Sequence, residues 1–291
     1  MATQAPPTID PAAARHWDIA APRRSPWLHD EVARRMAERL QWIKLEPAAW
    51  AHWAPVRGGL AAQPLVEGRY PRAACIVARE PALPPSLVRP WWKFGLPALR
   101  LGPVPEGGVQ MLWANMALHM SAAPQELIAQ WHRALEPDGF LMFSCLGPDT
   151  LRELRALYRE MGWPPPAHEF TDMHDWGDML VEAGFAEPVM DMERITLTWQ
   201  TPERLLEELR ELGANLHPAR FARLRGRRWR EQLHDGLSRA LVQPDGRLAL
   251  TFEIIYGHAM KPAPKVRMSE QSSVSLRDMR TMLQRGGRER G

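Results

Sequence analysis

The sequence is poor in cysteine, with only Cys75 and Cys145 among its 291 residues. Two cysteines cannot staple a chain of this length, so stability must come from a buried core. Such usage fits a reducing compartment, and a cytoplasmic location is the expectation. No stretch approaches about 18 consecutive apolar residues, which excludes a spanning helix. The opening MATQAPPTIDPAAARHW has no basic segment leading into an apolar one, so no secretory leader is expected. CxxC and HExxH patterns are absent and the ten histidines are scattered, so no metal centre is expected. No GxSxG nucleophile elbow is present. Charge of one sign is also missing. With 37 basic and 34 acidic residues, a net charge of +3 and a pI near 9.1, the chain is too balanced for a general nucleic-acid coat.

What is present is apolar residues (45%), 28 prolines and 13 tryptophans, enough to bury a large core. Residues 1–27, rich in proline and alanine, read as a flexible arm that Trp17 and Trp27 can dock. Leu28, Val32, Met36, Leu40 and Ile43 recur at helical spacing and predict a helix over 29–44. Between 47 and 110, proline and glycine interrupt every apolar run; a short strand is expected at 74–78, and Trp91, Trp92 and Phe94 as loop anchors. From Val109 the pattern is strand (109–113), helix opening at Ser121, strand (140–145), helix (150–161) and helix (173–183) ended by Gly184. This alternation predicts an α/β chain with parallel strands. Residues 189–199 and 248–256 alternate as strands and are expected to form an antiparallel edge pair. A bulge near Glu193 or Arg194 would reconcile the parity of the first. Helices at about 201–213 and 227–241 would form a small cap (201–242) on a main domain of 28–259, followed by a basic, frayed tail (260–291).

Ligands of open α/β sheets collect at the C-terminal ends of strands. Asn115 and His119 follow the 109–113 strand. Asn115 either holds a ligand carboxylate or amide or hydrogen-bonds its own loop; His119 is either a polar contact or proton carrier or a satisfied surface histidine. Ser144, Gly147 and Asp149 close the next strand, as turn chemistry or ligand contacts. Arg220, Arg223, Arg225, Arg227, Arg228 and Arg230 form a basic run in the cap, read as a solvated face or as a docking site for an acidic protein.

WANMALHM, WHRALEPDGFLMFSCLGPDTLREL, FTDMHDWGDMLVEAGFAEPVMDME and LTFEIIYGHA, between Trp113 and Ala259, resemble the malonyl-acyl-carrier-protein O-methyltransferase family of biotin synthesis. The last third also resembles a mitochondrial relative concerned with respiratory complex I assembly, itself similar to an arginine hydroxylase. The resemblance implies a three-layer α/β sandwich of the seven-stranded methyltransferase type, strand order 3-2-1-4-5-7-6, with an antiparallel seventh strand. It implies S-adenosylmethionine as cofactor and an acyl carrier protein as partner.

The stretch WAHWAPVRGG, matching the family's glycine-rich loop, departs from it: two aligned glycine positions fall on Ala54 and Val56, leaving Gly58. The first strand's acidic residue falls on His52, and the ribose-binding carboxylate falls on Arg79, with Glu80 beside it but pointing away if the strand continues. Trp17-Asp18 matches a tyrosine-aspartate pair that folds over the ligand; Trp17 would stack on an adenine or fill the vacated site. The cofactor residues implied are Trp17, Gly58, Glu80 and Asn115, and the substrate or partner residues are His119, Arg220, Arg223, Arg225, Arg227 and Arg228. Pro55, Val56 and Arg79 are expected to crowd the nucleoside site. The sequence therefore predicts a methyltransferase-like chain with cofactor binding impaired or lost, acting as a binding or scaffold protein. The alternative is an active O-methyltransferase for the carboxylate of an acyl-carrier-protein thioester.

Overall fold

Side chains alternate across a strand, so a sheet buried on both faces must be apolar at both parities. β1 (Ala49–Trp53) meets this condition: Trp50 enters one core and Ala51 and Trp53 the other. β2 (Ala74–Ala78), β4 (Val109–Ala114) and β5 (Leu135–Leu146) divide in the same way, with Val77, Trp113 and Phe140 on one face and Ile76, Leu112 and Phe143 on the other. In the computed structural model, which describes residues 8–20, 24–88, 95, 97–222 and 225–264, these strands join β3 (Leu99–Leu101), β6 (Ala186–Trp199) and β7 (Leu248–Met260) in a seven-stranded sheet. The order is β3-β2-β1-β4-β5-β7-β6, parallel except that β7 runs antiparallel to β5 and β6.

Helices cover both faces and make a three-layer α/β sandwich of the methyltransferase type. α2 (Trp27–Arg39), α3 (Pro55–Gly58), α4 (Ala62–Arg69) and α6 (Arg152–Glu160) lie on the Trp50 side, where Val32, Met36, Val66 and Leu157 join the core. α8 (Pro202–Leu212) and α9 (Arg227–Ala240) cap the same face through Leu205 and Leu233. α5 (Pro124–Ala134) and α7 (Met173–Glu182) cover the other through Trp131 and Trp176. No helix among the described residues is long and apolar enough to cross a membrane.

Several boundaries differ from the sequence reading, each for a local reason. The 1–27 arm contains α1 (Pro11–Ala20), tied down where the Asp10 amide donates to the Leu216 carbonyl at 2.8 Å. α2 ends at Arg39 in a 3-10 turn rather than running to 44. α5 opens at Pro124, not Ser121, because a 3-10 turn at Leu118–Met120 intervenes and Pro124 suits the first helical turn. β5 starts at Leu135 because β7 reaches far enough for Lys261 to bond the Gly139 carbonyl at 2.8 Å, which straightens the expected turn. The register shift in β6 lies between Ala186 and Val189, with Glu187 at φ 51°, and not near Glu193 or Arg194. Trp91, Trp92, Phe94, Arg223 and the tail beyond 264 lie outside the described residues.

Candidate active site

Ala54, Arg79, Met116 and Leu151 are non-glycine residues with φ of 47°, 63°, 52° and 58°. Each lies just beyond the C-terminal end of β1, β2, β4 or β5. A left-handed backbone costs an L-residue roughly 1–2 kcal/mol, and such conformations cluster where a site dictates the path of the chain. Two cavities open along this rim.

The first is a cleft of about 900 Å³. Its wall contains Trp17 and Asp18 of α1, Trp53 and Ala54 at the end of β1, Gly58, and Arg79 and Glu80 after β2. Ala54 makes the left-handed turn here: its carbonyl accepts from the amides of Arg57 (3.1 Å) and Gly58 (2.8 Å) and starts α3. Pro55 and Val56 are absent from the cleft wall, so the expected crowding by these two side chains does not occur. Arg79 does line the cleft, but its side chain is 58% exposed and its guanidinium sits 6.0 Å from the centre of the Trp53 ring. The left-handed turn at Arg79 also ends the strand parity that would have aimed Glu80 away. Glu80 faces the cleft, and its carboxylate accepts the Val56 amide at 2.9 Å.

Asp18 crosses the mouth of this cleft. Its carboxylate meets the Arg57 guanidinium at 2.6 Å, its carbonyl accepts from the same group, and Arg79 lies 3.9 Å away. Gly58 is required for packing: a Cβ there would lie 2.6 Å from the Asn115 carbonyl oxygen. Asn115 is buried, and its amide donates to the carbonyls of His29 (2.8 Å) and Gly58, while its oxygen accepts from Ser144 at 2.5 Å. It therefore staples α2, the β1 loop and β5 beneath the cleft, with both amide protons committed. His52 is fully buried behind the cleft and bonds Gln63 at 2.8 Å; burial lowers its pKa to about 4. Gly147 and Asp149 are turn chemistry, packed on Glu253, whose carboxylate accepts the Asp149 amide at 2.6 Å.

The second cavity, about 450 Å³, lies between α6 and the cap and is walled mainly by apolar groups such as Leu154, Phe170, Leu209, Trp229 and Phe252. Arg210, Arg225 and Arg230 are exposed residues of its wall, and Arg225 stacks 4.0 Å above Trp229. Arg220 turns to Asp10 at 2.7 Å and so links the cap to α1. Arg227 and Arg228 are exposed at the start of α9. His119 forms part of the inner wall, only 3% exposed. Met120 and Leu212 belong to the walls of both cavities, so the two chambers adjoin there.

The structure places Trp17, Gly58, Glu80 and Asn115 in the wall of the cleft and His119, Arg220 and Arg225 in that of the other cavity, which the sequence reading did not expect. Sequence reasoning missed the Asp18–Arg57 bridge and Met120. A charged pair 39 positions apart leaves no local signal, and a methionine between chambers reads as ordinary core.

No family model matches the chain. A malonyl-[acyl-carrier protein] O-methyltransferase from Gallionella capsiferriformans is 40% identical over 253 residues, covering 82% of this chain and 86% of that protein. One from Laribacter hongkongensis is 37% identical over 262 residues, covering 84% and 86%. Among solved structures, a candidate methyltransferase from Bacillus halodurans superposes with a TM-score of 0.51 at 15% identity, covering 79% of this chain and 100% of that one; it supports the fold alone.

Proposed function

The chain belongs to the malonyl-[acyl-carrier protein] O-methyltransferase family, and from that membership we propose that it is an active S-adenosylmethionine-dependent O-methyltransferase whose acceptor is the free carboxylate of a malonyl thioester on an acyl carrier protein. The observation that carries this reading is the pair of adjoining chambers: a polar cleft at the ends of the parallel strands, and an apolar cavity under the cap, meeting at Met120 and Leu212.

The residues present fit the cofactor. Among the described residues no tryptophan fills the cleft: Trp50 is buried in the core behind β1, while Trp17 and Trp53 form walls that suit an adenine face. Glu80, at the end of β2, is placed to accept hydrogen bonds from ribose hydroxyls. Asp18 and Glu211 also line the cleft, but each is paired with an arginine, Arg57 and Arg24, so the wall is close to charge-balanced. Asn115 acts from below, holding Gly58 and α2 in register. When bound, S-adenosylmethionine supplies a methyl group activated by the sulfonium.

A malonyl carboxylate is ionised at neutral pH and needs no general base, so alignment carries most of the rate. The apolar cavity strips water from the acceptor, and Met120 and Leu212 set the approach between the chambers. Arg227 and Arg228, exposed at the start of α9, would meet an acidic carrier protein.

One observation favours a second reading, a scaffold with impaired or lost cofactor binding. Arg57 is pinned to Asp18 across the cleft, and the Val56 amide is already engaged by Glu80. Calorimetric titration with S-adenosylmethionine separates the two. A dissociation constant in the micromolar range, with methyl transfer to malonyl-acyl carrier protein, is expected. No heat and no rise in Tm at millimolar ligand would eliminate the enzyme and leave the scaffold.

A further inference from the structure

A buried polar group without a partner costs free energy, and that cost is recovered if a ligand supplies the partner. His119 is such a group. It is 3% exposed, and neither ring nitrogen has a hydrogen-bond partner among the described residues. It is nevertheless held firmly. Its carbonyl accepts from His168 Nε2 at 2.9 Å, and its ring stands edge-on to Phe170 at 5.8 Å. The ring forms part of the inner wall of the apolar cavity, next in sequence to Met120, where the two chambers adjoin.

Two further atoms of that wall, His168 Nδ1 and Trp229 Nε1, are buried without a partner among the described residues, but His119 is the one of the three next to Met120, and other polar groups there are committed or lie outside. Arg220 bonds Asp10, Asn215 donates to the Pro165 carbonyl at 2.7 Å, and Thr150 donates to the Glu253 carbonyl at 3.2 Å. Arg210, Arg225 and Arg230 are exposed. An anionic acceptor would thus meet cations on entry and an apolar lining further in. A carboxylate at Met120 must exchange its water for a protein donor.

Resting on the methyltransferase reading, we propose that His119 is the acceptor-contacting residue: one ring N–H donates to the carboxylate oxygen that does not take the methyl group, and so orients the other towards the cleft. Burial, with His29 and His168 nearby, holds the imidazole neutral by keeping its pKa well below the ordinary value. A neutral donor orients the carboxylate without the charge pairing that would quench its nucleophilicity. It also releases the product easily, since a methyl ester has no charge to hold.

The test uses the full chain and a small probe, S-malonyl-N-acetylcysteamine, with the S-acetyl analogue as control. Nitrogen-15 spectra of the histidine rings are followed on titration, and affinities are measured for wild type, His119→Ala and His119→Gln. A shift of the His119 ring N–H with the malonyl probe but not the acetyl one is expected. His119→Ala should bind the malonyl probe about tenfold or more weakly, as expected for a lost hydrogen bond to a charged group. His119→Gln, which keeps a donor, should recover most of that affinity. S-adenosylmethionine affinity, unchanged within about twofold, serves as the folding control.

Equal losses for both probes would mean a packing role and overturn the proposal, as would an unmoved His119 signal or no malonyl binding by wild type. If His119→Ala does not fold, the wild-type ring signal decides. Malonyl binding through His119 without any cofactor heat would defeat the methyltransferase reading and leave the contact standing.

Discussion

The two chambers share a wall but are held open in different ways. The cleft is shaped by backbone: left-handed turns at Ala54 and Arg79, a glycine pressed on the Asn115 carbonyl, and the Asp18–Arg57 bridge. The apolar cavity is shaped by side chains, the leucines and aromatic rings of α6, α8 and α9. Backbone turns tolerate exchange of the residue that makes them at a modest cost, whereas a wall of interdigitated side chains records every methylene. This contrast explains how a cleft can stand beside β1 although Ala54, not a glycine, makes the left-handed turn there.

The largest expected effect comes from three buried histidines, one in the cleft wall, one on β1 and one in the cavity wall. Burial holds His29, His52 and His168 at about 4, below the ordinary 6.5. The unfolded chain therefore binds more protons than the native one once the pH falls below 6.5. Stability is intact above that value and lost as the pH drops towards 4, by up to about 3 kcal/mol for each group. Together these losses rival the whole stability of a typical domain. Urea unfolding midpoints measured from pH 7.5 to 4.5 should fall steeply, and a flat profile would refute the burial argument.

Next in size, Leu154→Ala removes a 5%-exposed side chain from α6 and the cavity wall. It should cost about 2–5 kcal/mol by chemical denaturation. It should also loosen the grip on the acceptor while leaving S-adenosylmethionine affinity unchanged; an equal loss in both chambers would contradict their separate construction. The smallest effect should come from Ala54→Gly, which removes the Cβ from a residue at φ 47°. It should be neutral or stabilising by about 1 kcal/mol in the same denaturation assay, since relief of left-handed strain outweighs the added freedom of the unfolded chain. Destabilisation of more than that would show that the Ala54 methyl group packs usefully.

Sequence patterns serve the segments with clear alternation, caps and stops better than the proline-rich stretch between 47 and 110. β2 is recovered with its observed bounds, and β4, α7 and α8 nearly so, because alternation, the Asp172 and Thr201 caps and the Gly184 stop are local signals. β1 and α4 lie in the stretch where proline and glycine hide the periodicity, and β3 is only three residues long. At the site, Trp17 and Glu80 reach the cleft and His119 the cavity. The side chain of Asn115, by contrast, is consumed by hydrogen bonds to His29, Gly58 and Ser144, none of them in its own loop. The readings for Pro55 and Val56 assumed that a β1 loop without glycine must push side chains into the cleft; Ala54 takes the left-handed turn itself and sends them elsewhere.

Local chemistry determined which segments are strands and helices, since apolar period, caps and stops act over a few residues. Together with the family resemblance, it also determined the order in which the strands join. Tertiary structure alone decided that Glu80 faces the cleft, that Asp18 reaches Arg57, and that the His119 ring lies buried with no hydrogen-bond partner among the described residues. Those outcomes depend on where strands end and which distant groups their ends bring together, and neither is encoded in the spacing of residues along the chain.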